Sequence, residues 1–289
     1  TIKLRGQVSQ GLVLPLSILP NGAPADLGAD VTDVLGIKKY DPEAQQEAQL
    51  LTKQPQKPQS AIARFLMRFK WYRKLFMKPK RKGGFPDWIV KTDETRIQNL
   101  TTLFEMERNK GTKFSVTEKV DGQSATYYLR KVSKRKYEFG VCSRNMRLDV
   151  PDSSVYWAVA NKYNIRKALE ILIGDKEWVC IQGECISPKI QGNKYKVSEP
   201  ALYCFNLIYP DGKVPCFEAE RRVSELGLKW VPLVTTDYVL PDDVNDVLVF
   251  ATGKSALSDG LREGVVFRNY EKGISFKAVS PDFLIQWDE

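Results

Sequence analysis

Apolar residues recur at every second position through much of the later two thirds of the chain. Phe114 and Val116 alternate with Lys113, Ser115 and Thr117, and the same period runs through Ala125, Tyr127 and Leu129, through Tyr137, Phe139 and Val141, and through Ile274, Phe276 and Ala278. Successive strand side chains point to opposite faces, so this spacing predicts strands over 113–119, 124–131, 137–143, 178–186, 201–209, 264–269 and 273–278. Spacings of three and four mark helices instead. Val155, Ala158, Val159, Ala168, Leu169 and Leu172 predict one helix over 154–173, and further helices are expected over 217–226 and from 242 into the 250s. Strands adjoin strands as often as helices, which predicts an α+β fold of two largely antiparallel β-sheets with flanking helices.

The opening stretch IKLRGQVSQGLVLPLSILPNG is also β-like, with bends at Gly6 and Gly11 and a turn at Pro20, Asn21 and Gly22. Such a strand pair is marginal alone and needs partners. A short helix is expected over 31–35, and DPEAQQEAQLLTKQPQKPQS, residues 41–60, has the polar, Pro-punctuated composition of a linker. Gly83-Gly84-Phe85-Pro86 reads as a break. The expected division is therefore a β region over 1–40, a linker with a helical segment over 41–84, and a main domain over 85–289.

Charge changes this picture in one place. Residues 61–82 read AIARFLMRFKWYRKLFMKPKRK and hold nine of the 44 Lys and Arg residues but none of the 35 Asp and Glu, so the remainder of the chain is balanced. Phe65, Phe69 and Tyr72 recur at helical spacing, which predicts a basic amphipathic helix. Its aromatic face could dock on a domain, or Arg64, Arg68, Lys70, Arg73 and Lys74 could track a nucleic-acid backbone; the two are compatible. Binding to a membrane surface or a calmodulin-like partner has no other support in the chain.

Composition excludes several chemistries. There is no histidine, so Ser-His-Asp and Cys-His catalysis and His-ligated zinc are ruled out. The five cysteines, Cys142, Cys180, Cys185, Cys204 and Cys216, form no C-x-x-C pair and lie mostly in apolar runs, as small buried thiols of a reducing compartment do. No apolar run reaches the roughly 18 residues of a membrane span, and the start of the chain has no secretory pattern. A cytoplasmic monomer without membrane contact is the expectation.

Lysine and carboxylates remain as reactive groups, and they meet in Thr117-Glu118-Lys119-Val120-Asp121-Gly122. A strand ending in lysine and followed by Asp-Gly fixes an amine at the mouth of a sheet, where the glycine permits close approach of a ligand or backbone. A lysine is a nucleophile only when unprotonated, which burial or neighbouring cations favour. Alone, K-x-D-G equally describes an exposed lysine beside a hairpin turn.

Further along come Cys142-Ser143-Arg144-Asn145, Gln182-Gly183-Glu184-Cys185, Tyr203-Cys204-Phe205-Asn206, Arg262-Glu263-Gly264-Val265-Val266-Phe267 and Ile274-Ser275-Phe276-Lys277. In this order, over about 84–284, the set resembles the motifs of the covalent nucleotidyltransferases, the superfamily of RNA ligases, DNA ligases and mRNA capping enzymes. Together with Lys91-Thr92-Asp93-Glu94-Thr95-Arg96 and FKAVSPDFL, it is most similar to ATP-dependent RNA ligases of phage and protist type, whose OB domain lies at the N-terminus. The resemblance implies a nucleotidyltransferase domain preceded by a partial OB-like β segment and the basic helical linker, with no room after 280 for a C-terminal OB domain.

It also implies roles. Lys119 would attack the α-phosphate of ATP to give lysyl-AMP, and AMP would then pass to an RNA 5′-phosphate for sealing by a 3′-OH. Arg144 would contact the ribose or a substrate phosphate, and Phe205 would stack on adenine. Glu184 and Glu263 would bind ribose hydroxyls and the hydration shell of Mg²⁺ or Mn²⁺. Lys277 would hold the α-phosphate and Arg96 the distal phosphates, and Glu118 is counted among the nucleotide-binding residues. Two positions depart from the pattern. Ser275 stands where lysine is frequent, so that a phosphate contact is lost or comes from Lys272, and Ser124 stands where some nick-sealing relatives have asparagine. The alternatives are a DNA ligase or capping-type enzyme, and a non-catalytic nucleic-acid-binding module; retention of Lys119, both glutamates and Lys277 argues against the module.

Overall fold

The computed structural model describes residues 2–4, 7–9, 15–20, 22, 29–36, 82–148 and 154–287, and the chain separates into two compact units, Thr1–Pro79 and Lys80–Glu289. In the first, β1 (Ile2–Leu4) pairs antiparallel with β2 (Gln7–Ser9), as the opening pattern predicts. The short helix expected over 31–35 is a single turn: Leu35 N–H reaches Val31 O at 3.0 Å, and the turn ends at Gly36 with φ +60°, a conformation glycine adopts without steric cost. The linker over 41–60 and the basic helix with Arg64, Arg68, Lys70, Arg73 and Lys74 lie outside the described residues.

The second unit opens with β3 (Lys82–Gly84), α1 (Thr101–Asn109), β4 (Lys113–Lys119), β5 (Gln123–Ser133), β6 (Lys136–Cys142) and β7 (Met146–Leu148). Then follow α2 (Val155–Lys162), α3 (Ile165–Leu172), β8 (Trp178–Ile186), β9 (Ala201–Tyr209), β10 (Gly212–Lys213) and α4 (Cys216–Ser224). It closes with β11 (Lys229–Trp230), β12 (Leu233–Val239), α5 (Val244–Ala251), β13 (Gly264–Asn269), β14 (Ile274–Val279) and α6 (Pro281–Trp287). The larger sheet has the order β10-β9-β8-β5-β6-β7-β3, with β11 parallel to β9, and the smaller has the order β12-β4-β13-β14. All pairings except β11 with β9 are antiparallel.

Alternation explains the layers. Ala125, Tyr127 and Leu129 of β5, with Val179 and Ile181 of β8, face Trp157, Val159, Ile165, Ala168 and Leu169 of α2 and α3 in the main core. Tyr128 and Cys180 point the other way, under Trp88 and Ile89. Both faces are thus covered, which is why apolar residues such as Tyr128 and Cys180 also occupy alternate positions of these strands. In the smaller sheet Phe114, Phe267 and Phe276 pack with Ile97, Phe104, Val247 and Ala251. Phe114, Phe267 and Phe276 are each fully buried, worth roughly 1.5–3 kcal/mol apiece.

Two boundaries differ from expectation. The helix over 154–173 is two helices, because Asn164 takes a left-handed conformation (φ +46°) that asparagine tolerates and that ends a helix. Lys82–Gly84 is not a break but an edge strand on β7, so the main unit begins before residue 85.

One rung is closed on backbone alone. At Gly264, between β4 and β14, an added Cβ would lie 2.2 Å from Ala278 O and 2.9 Å from Val279 Cα, both backbone. Gly264→Ala should therefore lower unfolding stability by about 3 kcal/mol in urea titrations. Gly273→Ala, at φ +63° with open space around it, should cost only about 1 kcal/mol; equal losses would contradict the packing described.

Candidate active site

β4 ends at Lys119, and strand register fixes what stands around it. Lys119 pairs with Gly264, Thr117 with Val266, and Val266 in turn with Lys277. With a side-chain period of two, Thr117, Lys119, Val266, Arg268, Ser275 and Lys277 share one face, and Phe114, Val116, Glu118, Phe267 and Phe276 share the other, over the aromatic core. The buried Glu118 carboxylate accepts hydrogen bonds from Ser255 Oγ at 2.5 Å and Ala256 N at 2.8 Å.

On the open face the Lys119 ammonium donates to Glu263 Oε1 in an ion pair, with side-chain exposures of 24% and 12%. Glu263 Oε2 is buried and has no hydrogen-bond partner. Burial works to lower the Lys119 pKa, but the charges of Glu263, Glu184 and Asp121 outweigh it, and the amine is held above its ordinary value. At Lys277 burial has the same sign while Lys119 and Arg96 add repulsion, so its pKa falls to about 8.

Glu184 reaches this group from the larger sheet. The turn after Lys119 lies so close to β8 that a Cβ on Gly122 would sit 2.5 Å from Cys185 O, and Ser124, just beyond, pairs with Glu184. A bulge sets the next side chain. Gln182 stands opposite Asn206 but Gly183 opposite Cys204, so Phe205 is the extra residue and is turned out of the ladder. The Arg268 guanidinium lies 5.7 Å from its ring.

Residues 90–96 strap the two sheets together. Val90 O accepts from Gln182 Nε2 at 2.7 Å, and the Thr92 and Ser124 hydroxyls are 2.6 Å apart. Asp93 pairs with Arg144, and Lys91 Nζ donates to Asn145 at 3.1 Å. Glu94 accepts from Ser275 Oγ at 2.6 Å, Lys277 N donates to Thr95 O at 2.9 Å, and Arg96 forms a parallel bridge with Lys277. A half-buried lysine, two glutamates and a second lysine of depressed pKa thus stand together, contributed by both sheets.

Residues 112–279, which contain all of this group except the strap, match the family model described as RNA ligase. The chain belongs to the RNA ligase family. The RNA ligase of Naegleria gruberi is similar over 99% of this chain and 75% of its own. A variant with ATP and Mn is 31% identical at a TM-score of 0.74, a variant with AMP and Mn 32% at 0.74, and a form with PPi 32% at 0.73. No curated protein sequence matches.

In this RNA ligase the structure brings Lys119, Glu184, Glu263 and Lys277 together. Arg96 joins them through the Lys277 main chain, Arg144 through Asp93 on the strap, and Phe205 stands beside Arg268. Glu118 is not in the group: alternation turns it to the opposite face. Nor is Lys272, whose Nζ is 2.6 Å from both Glu107 Oε2 and Thr112 Oγ1, in a network that holds the Glu107 carboxyl at about 2. What stands at Ser275 is a hydroxyl bonded to Glu94, not a cation. Sequence reasoning missed Lys194, whose Nζ lies 2.7 Å from Asp121 Oδ2, and Tyr195, whose hydroxyl accepts from Asp121 N at 2.8 Å. Both sit in an irregular polar stretch with no period to single them out.

The opposed shifts are measurable. In competitive amine labelling read by mass spectrometry, Lys277 should become reactive with a midpoint near pH 8, and Lys119 only above 10.5. Glu263→Gln removes the largest upward contribution and should bring the Lys119 midpoint down. A common midpoint near 10.5 for both lysines would contradict the electrostatics described.

Proposed function

We propose that this RNA ligase uses ATP to adenylylate Lys119 and joins RNA 3′-OH and 5′-phosphate ends through that adduct. The observation that carries the reading is the Lys119 amine in contact with Glu263 and facing Glu184 and Lys277, within the stretch that defines the family. The complexes of the Naegleria gruberi ligase with ATP and Mn and with AMP and Mn support the choice of nucleotide and of a divalent ion.

The first step forms a bond between Lys119 Nζ and the α-phosphorus, breaks the bond from that phosphorus to pyrophosphate, and releases one proton from the amine. Lys119 rests as an ammonium, so a first proton must leave before that, toward Glu263 Oε1, which already accepts a hydrogen bond from the amine, and the proton released on bond formation is the second. Lys277 and Arg96, which stand side by side, would offset negative charge on the phosphate oxygens. Phe205, turned out by its bulge, offers a ring to the base. AMP then moves from nitrogen to an RNA 5′-phosphate, and a 3′-OH displaces it.

Glu184 and Glu263 are the residues that would hold a divalent cation. The fit rests on Glu263 Oε2, a buried carboxylate oxygen with no partner, which a cation or its water would satisfy. Among the described residues no three His, Cys, Asp or Glu converge on one point, and Mg²⁺ commonly takes one or two carboxylates with waters and phosphate oxygens. When bound, the ion supplies positive charge at the phosphates and competes with Lys119 for Glu263.

We place the activity in a reducing intracellular compartment, on the ground that all five cysteines are free and buried. Among the described residues no helix is long and apolar enough to cross a membrane.

Incubation with α-labelled ATP and Mn²⁺ should attach acid-labile label to the protein, and Lys119→Ala should reduce it to background. The labelled protein should then seal nicked RNA duplexes in preference to nicked DNA. Label surviving Lys119→Ala, or no label in the unaltered chain, would sink the reading.

A further inference from the structure

We propose that Lys194 is a positioning residue for adenylylation, holding the turn that carries the nucleophile through Asp121; this rests on Lys119 being the adenylylated residue. Lys194 and Asp121 are only 8% exposed and 2.7 Å apart, which makes them a buried ion pair two residues from Lys119. The same loop grips Asp121 a second time, since Asp121 N donates to Tyr195 Oη at 2.8 Å. Backbone and carboxylate of one residue are thus held together.

The loop is built at a conformational cost. Gln191, Asn193 and Lys196 are left-handed, with φ of +48°, +53° and +52°, around Gly192 at +64°. Non-glycine residues keep such geometry only where the surroundings over-determine it. Here Asn193 does so, donating from Nδ2 to Val197 O at 3.0 Å and accepting from Val197 N at 2.9 Å.

The far side of Lys194 meets α6. Its ammonium lies 4.7 Å from the centre of the Phe283 ring and 5.4 Å from that of Trp287, an arrangement that holds a cation in place where water is sparse. α6 is tied to the catalytic face in turn: Ser280 N donates to Glu263 O at 2.8 Å, and Ser280 Oγ accepts from Phe283 N at 3.2 Å. Contacts therefore close a ring from Lys119 to Glu263, Ser280, Phe283, Lys194 and Asp121, and back along the chain to Lys119. Lys194 is the member that joins its two halves.

The test is the single-turnover rate of AMP–enzyme formation and the ATP concentration giving half that rate. Lys194→Met should slow formation about 100-fold, as misplacement of a reacting group does, with less than a threefold change in half-saturating ATP. Because Lys194 acts through Asp121, the double variant Asp121→Asn/Lys194→Met should be no slower than Asp121→Asn alone. Lys194→Arg, which keeps charge and ring contacts, should recover most of the rate and serves in the same cycle should Lys194→Met not fold. Lys162→Met removes an exposed lysine with a similar carboxylate and ring pairing, to Glu199 and Tyr163, and should leave the rate unchanged. Additive losses in the cycle, or a lower melting temperature with an unchanged rate, would overturn the role of Lys194 while leaving ligation intact. No adduct in the unaltered chain would overturn both.

Discussion

The rung that sets Lys119 opposite Gly264 is the constraint on which the site depends. It puts the end of β4 against the start of β13, so that Glu263, the residue before the rung, meets the lysine. The strands can close this far only because position 264 has no side chain to strike Ala278. The ion pair that results is largely buried, and truncating one member of such a pair typically costs about 3–5 kcal/mol through the charge left behind. Fold and chemistry therefore share one contact.

Burial acts on both lysines of the site with the same sign, and their neighbours decide the outcome. Lys119 faces three carboxylates and keeps its proton; Lys277 faces Lys119 and Arg96 and readily gives its proton up. The resting site is thus the reverse of a primed nucleophile. On the proposed reading, charge would have to be drawn away from Glu263 before Lys119 reacts, which would tie reactivity to the arrival of cation and nucleotide.

Much of this was legible in the sequence, for reasons that differ by residue. Strands such as Lys113–Lys119 and Ala201–Tyr209 fell where expected because buried strands are long, rich in β-branched and aromatic residues, and end at polar turns. α1, TTLFEMERN, was missed because it contributes little apolar surface beyond Phe104. β12 was missed because LVTTDYV is an edge strand with two register shifts and mixed burial. In the site, residues within ordered motifs could be found, while Lys194 could not: its importance comes from a loop conformation and from α6, and neither leaves a period in the sequence.

Were Arg144 to meet a substrate phosphate, as the resemblance implies, its pairing with Asp93 would bear on which RNA phosphates it takes. The guanidinium already has a carboxylate beside it, so an incoming anion has to compete for it rather than fill a vacant place. A terminal phosphate monoester carries nearly two negative charges at neutral pH and can displace a singly charged carboxylate. An internal phosphodiester carries one and gains little by the exchange. Asp93 would in this way act as a threshold, letting the enzyme pass over the continuous backbone that makes up almost all of an RNA and engage where the chain is broken.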